Sequence, residues 1–229
     1  VKDIKRVWLL TGTPVANRPI DFYNLLRVCR SYVSQDWIHF VKRYCEGKQF
    51  RGQGGRLVWD TKGASNLQEL HQYTKDSILR RKKEDILDLP PKIVSPVYHQ
   101  LQNATGYQEI MDEQQKLVDA FPGKCVRHNG SMNLEQKEES VERFQNDPKI
   151  KVFIGNIISA GVGITLTSGE VVIMNSLDWV PKSHSQAEDR AYRIGQDKKV
   201  NVYYPIFDKT IEEIIYKSLK SKQKNIDTI

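Results

Sequence analysis

From residue 125 onward the sequence changes period at regular intervals. Short β-branched runs alternate with stretches whose apolar residues recur every three or four positions. The spacing predicts strands over 125–128, 151–154, 171–174 and 200–207, and helices over 134–144, 183–192 and 211–222. Strands joined by helices run parallel, because the chain must return to the same end of the sheet before each new strand begins. A parallel sheet is covered on both faces, and ligands are expected beyond its strand ends. Residues 101–229 are therefore read as one α/β lobe.

The earlier residues are less regular. A strand is expected over 6–10, leading into the polar turn Thr11-Gly12-Thr13-Pro14, with helices over 20–28 and 37–44. The stretch 47–63 is rich in glycine and carries Lys48, Arg51, Arg56 and Lys62, so it reads as an irregular insertion. Helical spacing returns over 67–73 and 78–87, and Pro90 and Pro91 end it. Residues 93–98 are expected to be extended, as a linker would be. The division that follows is 1–50 for the end of a first lobe, 51–100 for an insertion and bridge, and 101–229 for the second lobe.

Charge narrows the partners. The chain has 35 Lys and Arg against 28 Asp and Glu, a net +7, which favours a polyanion such as nucleic acid. A basic surface kept for solubility accounts for the same number. Cys29, Cys45 and Cys125 have neither zinc-site nor disulfide-framework spacing and suit a reducing, intracellular setting. The longest apolar runs fall far short of the ~20 residues a membrane span needs, so neither a membrane helix nor a signal peptide is expected.

The chemistry concentrates in residues 186–196, QAEDRAYRIGQ. On a helix, Arg190 and Arg193 would share a face. Adjacent guanidiniums repel unless an anion lies between them, and their forks match phosphate oxygens in phosphoryl transfer. Glu188 and Asp189 offer a plainer alternative, local ion pairs on a solvated helix. Upstream, Gly161 and Gly163 allow a tight turn that comes close to a phosphate or sugar, with Ser159 beside them.

Taken together these residues resemble the SNF2 family of superfamily 2 DNA translocases. Gln186, Ala187, Arg190, Arg193, Ile194, Gly195 and Gln196 match its motif VI, QAxxRxxRIGQ, and Thr210-Ile211-Glu212-Glu213 matches the helix that follows. Residues 159–164, SAGVGI, resemble motif V, although Ile157 and Ile158 stand where a Thr often precedes an AGG run. Asp178-Trp179-Val180-Pro181 resembles a WNP turn, with Val180 in place of Asn. Residues 10–14 with Asn17 resemble motif III, LTGTPxxN, and residues 78–92, ILRRKKEDILDLPPK, resemble the bridge LRRxKxDVxxxLPxK between lobes. Residues 127–131, RHNGS, resemble a DG turn with Asn129 for Asp. Tyr44-Cys45 and residues 59–70, WDTKGASNLQEL, resemble the HARP-like annealing-helicase branch.

The resemblance implies tandem RecA-like α/β lobes with parallel sheets, the first only partly present. It implies catalytic arginines at Arg190 and Arg193, and nucleotide contacts at Gln186, Gly161 and Gly163. DNA contacts would fall at Thr11, Asn17, Gly130, Ser131, Ser159 and Trp179. The implied cofactors are ATP and Mg2+, and the implied partner is double-stranded or forked DNA in the nucleus of a eukaryote or the cytoplasm of a bacterium or virus. No GxxxxGKS/T loop or DExH motif occurs in the sequence. Both precede these motifs in the family, so ATP and Mg2+ would be bound mainly upstream, and this chain by itself is expected to be inactive. The family also places more residues than are present between Gln100 and Cys125, so an omission is expected near 107–112. Two other functions fit the same residues: a strand-separating superfamily 2 helicase, and a basic DNA-binding module without turnover.

Overall fold

Along Val200–Phe207 the side chains alternate between buried and more exposed, with Val200, Val202, Tyr204 and Ile206 turned inward. Each such apolar side chain is worth about 1.5–3 kcal/mol when fully buried. In a computed structural model, which describes residues 6–100, 113–161 and 163–229, this strand is the centre of a parallel sheet. The chain divides into two compact units. The first holds the chain as far as Arg81 with Val180–Lys182 and Lys217–Ile229; the second holds Lys82–Trp179 and Ser183–Tyr216.

The first unit, among the described residues, is helical with one hairpin. Its elements are α1 (Pro19–Val28), α2 (Trp37–Tyr44), β1 (Lys48–Arg51), β2 (Leu57–Asp60) and α3 (Leu67–Thr74). The Asp21 carboxylate accepts the amides of Asn17 and Arg18 at 2.8 and 3.0 Å, which fixes the start of α1. Asp36 caps α2 in the same way through Ile38 and His39. Phe22, Tyr23, Leu26, Phe40, Tyr44 and Leu70 form the core, with Tyr23 and Phe40 edge to face at 5.1 Å. Burial pushes the Cys45 thiol up to about 12. All three cysteines are free.

The second unit carries two parallel sheets. In one, β3 (Lys92–His99), β7 (Val200–Phe207) and β6 (Val171–Ile173) lie in the order β3-β7-β6. In the other, β4 (Cys125–His128) pairs with β5 (Val152–Gly155). Its helices are α4 (Lys83–Ile86), α5 (Glu113–Ala120), α6 (Leu134–Asn146), α7 (Ile157–Ala160), α8 (Pro181–Ala191) from Ser183 onward and α9 (Ile211–Thr228) as far as Tyr216, the rest of these last two belonging to the first unit. The N-terminus of α6 is closed reciprocally: the Gln136 amide donates to Asn133 Oδ1, and the Asn133 amide donates to Gln136 Oε1. Met174, Ala191, Tyr192 and Tyr216 pack with the inward side chains of β7.

Three expectations differ from what is found. Residues 6–10 are not a strand: Trp8 is 85% and Leu10 93% exposed, and no neighbouring strand among the described residues pairs with them. Residues 47–63 are an ordered antiparallel hairpin and not an irregular insertion. The helix expected over 78–87 shrinks to Lys83–Ile86, because Ile78 and Lys82 are extended and Arg80 reaches out to the Ile226 carbonyl and Asp227. The omission expected near 107–112 lies outside the described residues.

Candidate functional site

Helix α8 stops at Ala191, so Arg193 lies in the turn beyond it and does not share a helical face with Arg190 as expected. The chain turns there through Gly195, at φ +95°, where a side chain would be strained. Gln196 secures the turn: its buried Nε2 lies 2.9, 3.0 and 3.2 Å from the carbonyls of Gly169, Thr167 and Ala191. The two guanidiniums nevertheless converge. Arg190 Nη1 donates to the Ile164 carbonyl at 3.3 Å and Arg193 Nη1 to the same oxygen at 3.5 Å. Arg190 Nε also donates to the Gln186 carbonyl at 3.1 Å.

Ile164 closes the loop that carries Gly161 and Gly163, so the loop and the arginine turn form one place in the molecule. The Leu166 amide donating to the Arg190 carbonyl at 2.8 Å reinforces this. Gly161 is buried, and a Cβ on it would come within 2.6 Å of the Ile157 carbonyl. Gly163 is exposed at φ +76°. Ser159 Oγ donates to the Asn156 carbonyl at 3.3 Å.

Glu188 and Asp189 do not pair with these arginines. Glu188 is buried and takes Lys92 Nζ at 2.9 Å and the Tyr204 hydroxyl at 2.7 Å. Asp189 takes Lys83 Nζ at 2.8 Å, and the same lysine donates to the Tyr192 carbonyl at 3.2 Å. Burial pulls Lys92 down, but the charge and hydrogen bond of Glu188 outweigh it and raise the lysine above its ordinary value. Burial, followed by Glu188, pushes the Tyr204 hydroxyl well above its usual range. With both carboxylates engaged, Arg190 and Arg193 have no ion-pair partner among the described residues. Burial first, and then the Arg193 charge, lower Arg190 against the opposing pull of Asp189. An anion set against both guanidiniums would relieve this repulsion, so the donor set fits a phosphate. Among the described residues no group of three or more His, Cys, Asp or Glu comes together to hold a metal ion, so no residue here is assigned to Mg2+.

The other expected residues of this unit lie in separate settings. Asn129 Oδ1 accepts from the Ser131 amide at 3.2 Å and hydroxyl at 2.8 Å, forming a turn around exposed Gly130. Just before it, buried His128 donates Nδ1–H to Ser140 Oγ at 2.9 Å, since that hydroxyl donates to the Lys137 carbonyl. Trp179 is 46% exposed. The adjacent Asp178 is fixed by buried His184, whose Nε2 lies 3.0 Å from its carbonyl and 3.1 Å from its amide. In the first unit, Thr11 Oγ1 accepts the Thr13 amide at 3.2 Å, and buried Asn17 Oδ1 has no hydrogen-bond partner among the described residues.

Sequence reasoning missed Lys83 and Lys92 as anchors of α8, and His184 as the support of the Trp179 turn. The basic residues of the bridge were visible, but their partners lie 96 or more residues away.

The helicase conserved C-terminal domain family matches residues 95–195. The DNA annealing helicase and endonuclease ZRANB3 of Bos taurus is 29% identical over 287 residues, covering 97% of this chain and 27% of that protein. The SWI/SNF-related matrix-associated actin-dependent regulator of chromatin subfamily A-like protein 1 of Drosophila melanogaster is 28% identical, covering 98% of this chain and 37% of that protein. Helicase SWR1 of Yarrowia lipolytica is 36% identical over 52% of this chain and 7% of its own length. The chain thus spans between a quarter and two fifths of the first two relatives.

Proposed function

We propose that this chain is a member of the SNF2 family, whose proteins it resembles, and supplies the arginine-bearing lobe of an ATP-driven motor that moves along double-stranded DNA. The observation that carries the reading is the convergence of Arg190 and Arg193 on the Ile164 carbonyl, with Glu188 and Asp189 held away by Lys92 and Lys83. The two cations are thereby kept available for an outside anion. Their fork geometry suits the phosphate oxygens of a nucleotide, whose hydrolysis supplies the free energy for movement. Arg190 and Arg193 stabilise charge on the transferring phosphoryl group, Gly161 and Gly163 let backbone come close beside it, and Gln186 lines the same turn.

DNA is held mainly through its phosphates, so binding weakens with salt and depends little on sequence. The Gly130-Ser131 turn, Ser159 and Trp179 are the contacts assigned on this unit, and Thr11 and Asn17 those on the other. Strand annealing is the outcome that the likeness to the DNA annealing helicase and endonuclease ZRANB3 supports; fork remodelling is a related outcome, with action in the nucleus if the source is eukaryotic.

The test is Arg190→Ala and Arg193→Ala in the full-length protein. DNA-stimulated ATP hydrolysis should fall by about 10³–10⁵-fold while duplex binding stays within about twofold, the scale set by arginine fingers elsewhere. Near-normal hydrolysis in both variants would refute the assignment.

A further inference from the structure

The hairpin of the first unit carries features that the motor reading does not use. Its register pairs Lys48 with Asp60, Gln49 with Trp59, Phe50 with Val58 and Arg51 with Leu57. Successive residues of a strand face opposite sides, so Lys48, Phe50, Val58 and Asp60 share one face. Trp59 belongs to the other face and meets Trp37 of α2 edge-on at 5.8 Å. The Phe50 face is therefore turned away from α2.

The root of the hairpin is clamped. A Cβ on Gly47 would come within 2.1 Å of Val41 Cγ1, and one on Gly63 within 2.8 Å of the Cys45 carbonyl. The Ser65 hydroxyl and Asn66 side-chain amide donate to the Arg43 carbonyl at 2.7 and 2.8 Å. The tip is open: Gly54 and Gly55 have φ +76° and +75°, and a Cβ on either would meet nothing within 4 Å.

On the Phe50 face lie Phe50, 50% exposed, and Val58, 39% exposed, between Lys48 and Arg56, while Arg51 and Leu57 lie on the Trp59 face. None of those three cations is in an ion pair among the described residues. Residues 47–63 hold four basic residues and one acid. A two-stranded ribbon with exposed apolar side chains gains nothing from exposing them unless something covers them. Charge selects a polyanion, and an aromatic ring set among cations selects a base to stack on it.

We propose that the β1–β2 hairpin binds single-stranded nucleic acid, with Phe50 stacking on an unpaired base and Lys48 and Arg56, on the same face, holding the adjoining phosphates. Duplex would satisfy the two cations but not Phe50, because stacked, paired bases present no free face. The site needs no nucleotide hydrolysis and goes beyond the motor reading.

The experiment measures fluorescence anisotropy of labelled oligothymidylate and of a labelled blunt duplex with the full-length protein. Phe50→Ala should weaken oligothymidylate binding by about 5- to 150-fold, the range for loss of one base–aromatic stack. It should change duplex binding less than about twofold. Phe50→Tyr, which keeps the ring, should bind like the parent, so a folding defect in the alanine variant would be distinguished. Lys48→Gln with Arg56→Gln should lower the slope of log affinity on log salt by about 1.4 for the single strand. The proposal is overturned if Phe50→Ala and Phe50→Tyr both bind oligothymidylate like the parent. It is equally overturned if the variants weaken duplex and single strand alike, if the parent binds no single strand, or if the hairpin variants lose only an acidic protein partner. Each of these outcomes leaves the Arg190 and Arg193 hydrolysis test standing on its own.

Discussion

The turn after α8 and the β1–β2 hairpin are both basic and both carry aromatic residues, yet the structure treats their charges in opposite ways. Around α8, lysines and carboxylates satisfy one another: Lys92 with Glu188, Lys83 with Asp189, and Tyr204 closing the buried pair. Arg190 and Arg193 are left without a carboxylate among the described residues and converge on the Ile164 carbonyl. On the hairpin no cation among Lys48, Arg51 and Arg56 has such a partner, and the apolar side chains beside them face solvent. Basic composition alone does not mark a binding surface. What marks it is which cations remain after the protein's own anions have been assigned.

The largest expected effect breaks the α8 side of the contrast. If Arg190 and Arg193 act on one phosphoryl group, the double alanine variant should lose little more hydrolysis than the worse single variant, since groups acting as a unit are not additive. Steady-state rates of the three variants would show this. Two independent losses that multiply would separate the arginines.

Next in size is the support beneath them. Glu188→Ala leaves Lys92 half-buried without its counter-charge and should destabilise by about 3–5 kcal/mol. Denaturant midpoints measure the loss. A double change, Glu188→Leu with Lys92→Met, should recover most of it, because an apolar pair of similar size has no uncompensated charge. If the single variant is as stable as the parent, the ion pair does not hold α8.

On the hairpin side, root and tip glycines should behave differently. Gly47→Ala must displace Val41 and should cost about 1–3 kcal/mol. Gly54→Ala meets no neighbour and should cost only the strain of its positive φ, about 1–2 kcal/mol or less. Thermal melts compare the two, and equal losses would show that the root is not clamped.

The smallest effect is in pH. Burial lowers both His128 and His184 below their ordinary value of 6.5. Hydrogen bonding to backbone opposes that shift in each but does not cancel it. The unfolded chain then binds protons that the folded chain does not. Their contribution is fully present above about pH 6.5 and is lost as pH falls from there through the folded values. The melting temperature should be lower at pH 5.5 than at pH 7.5, and His184→Gln should flatten part of that slope. A parent melting temperature that does not fall between those conditions would contradict the burial of these rings.

Much of the second unit was legible because its elements are made by local periodicity. The strands Cys125–His128 and Val200–Phe207 fall where β-branched alternation put them, and in the first unit α2 likewise begins and ends where its apolar spacing does. The hairpin escaped notice because glycine and charge obscured its alternation. The signal was present in two short runs around a glycine turn, Lys48–Arg51 and Leu57–Asp60. Residues 6–10 misled in the other direction, since a β-like composition makes a strand only where another strand supplies hydrogen bonds.

The sequence by itself determined the α/β alternation and the motif at 186–196 that resembles the SNF2 family, because each depends on residues close together in the chain. Only the tertiary structure decided what those residues do to one another. It ended α8 at Ala191, brought Arg190 and Arg193 to one carbonyl, and gave Glu188 and Asp189 to lysines from the bridge. Electrostatic partnership depends on distance in space, and Lys92 and Glu188 are 96 residues apart in sequence but 2.9 Å apart in the fold.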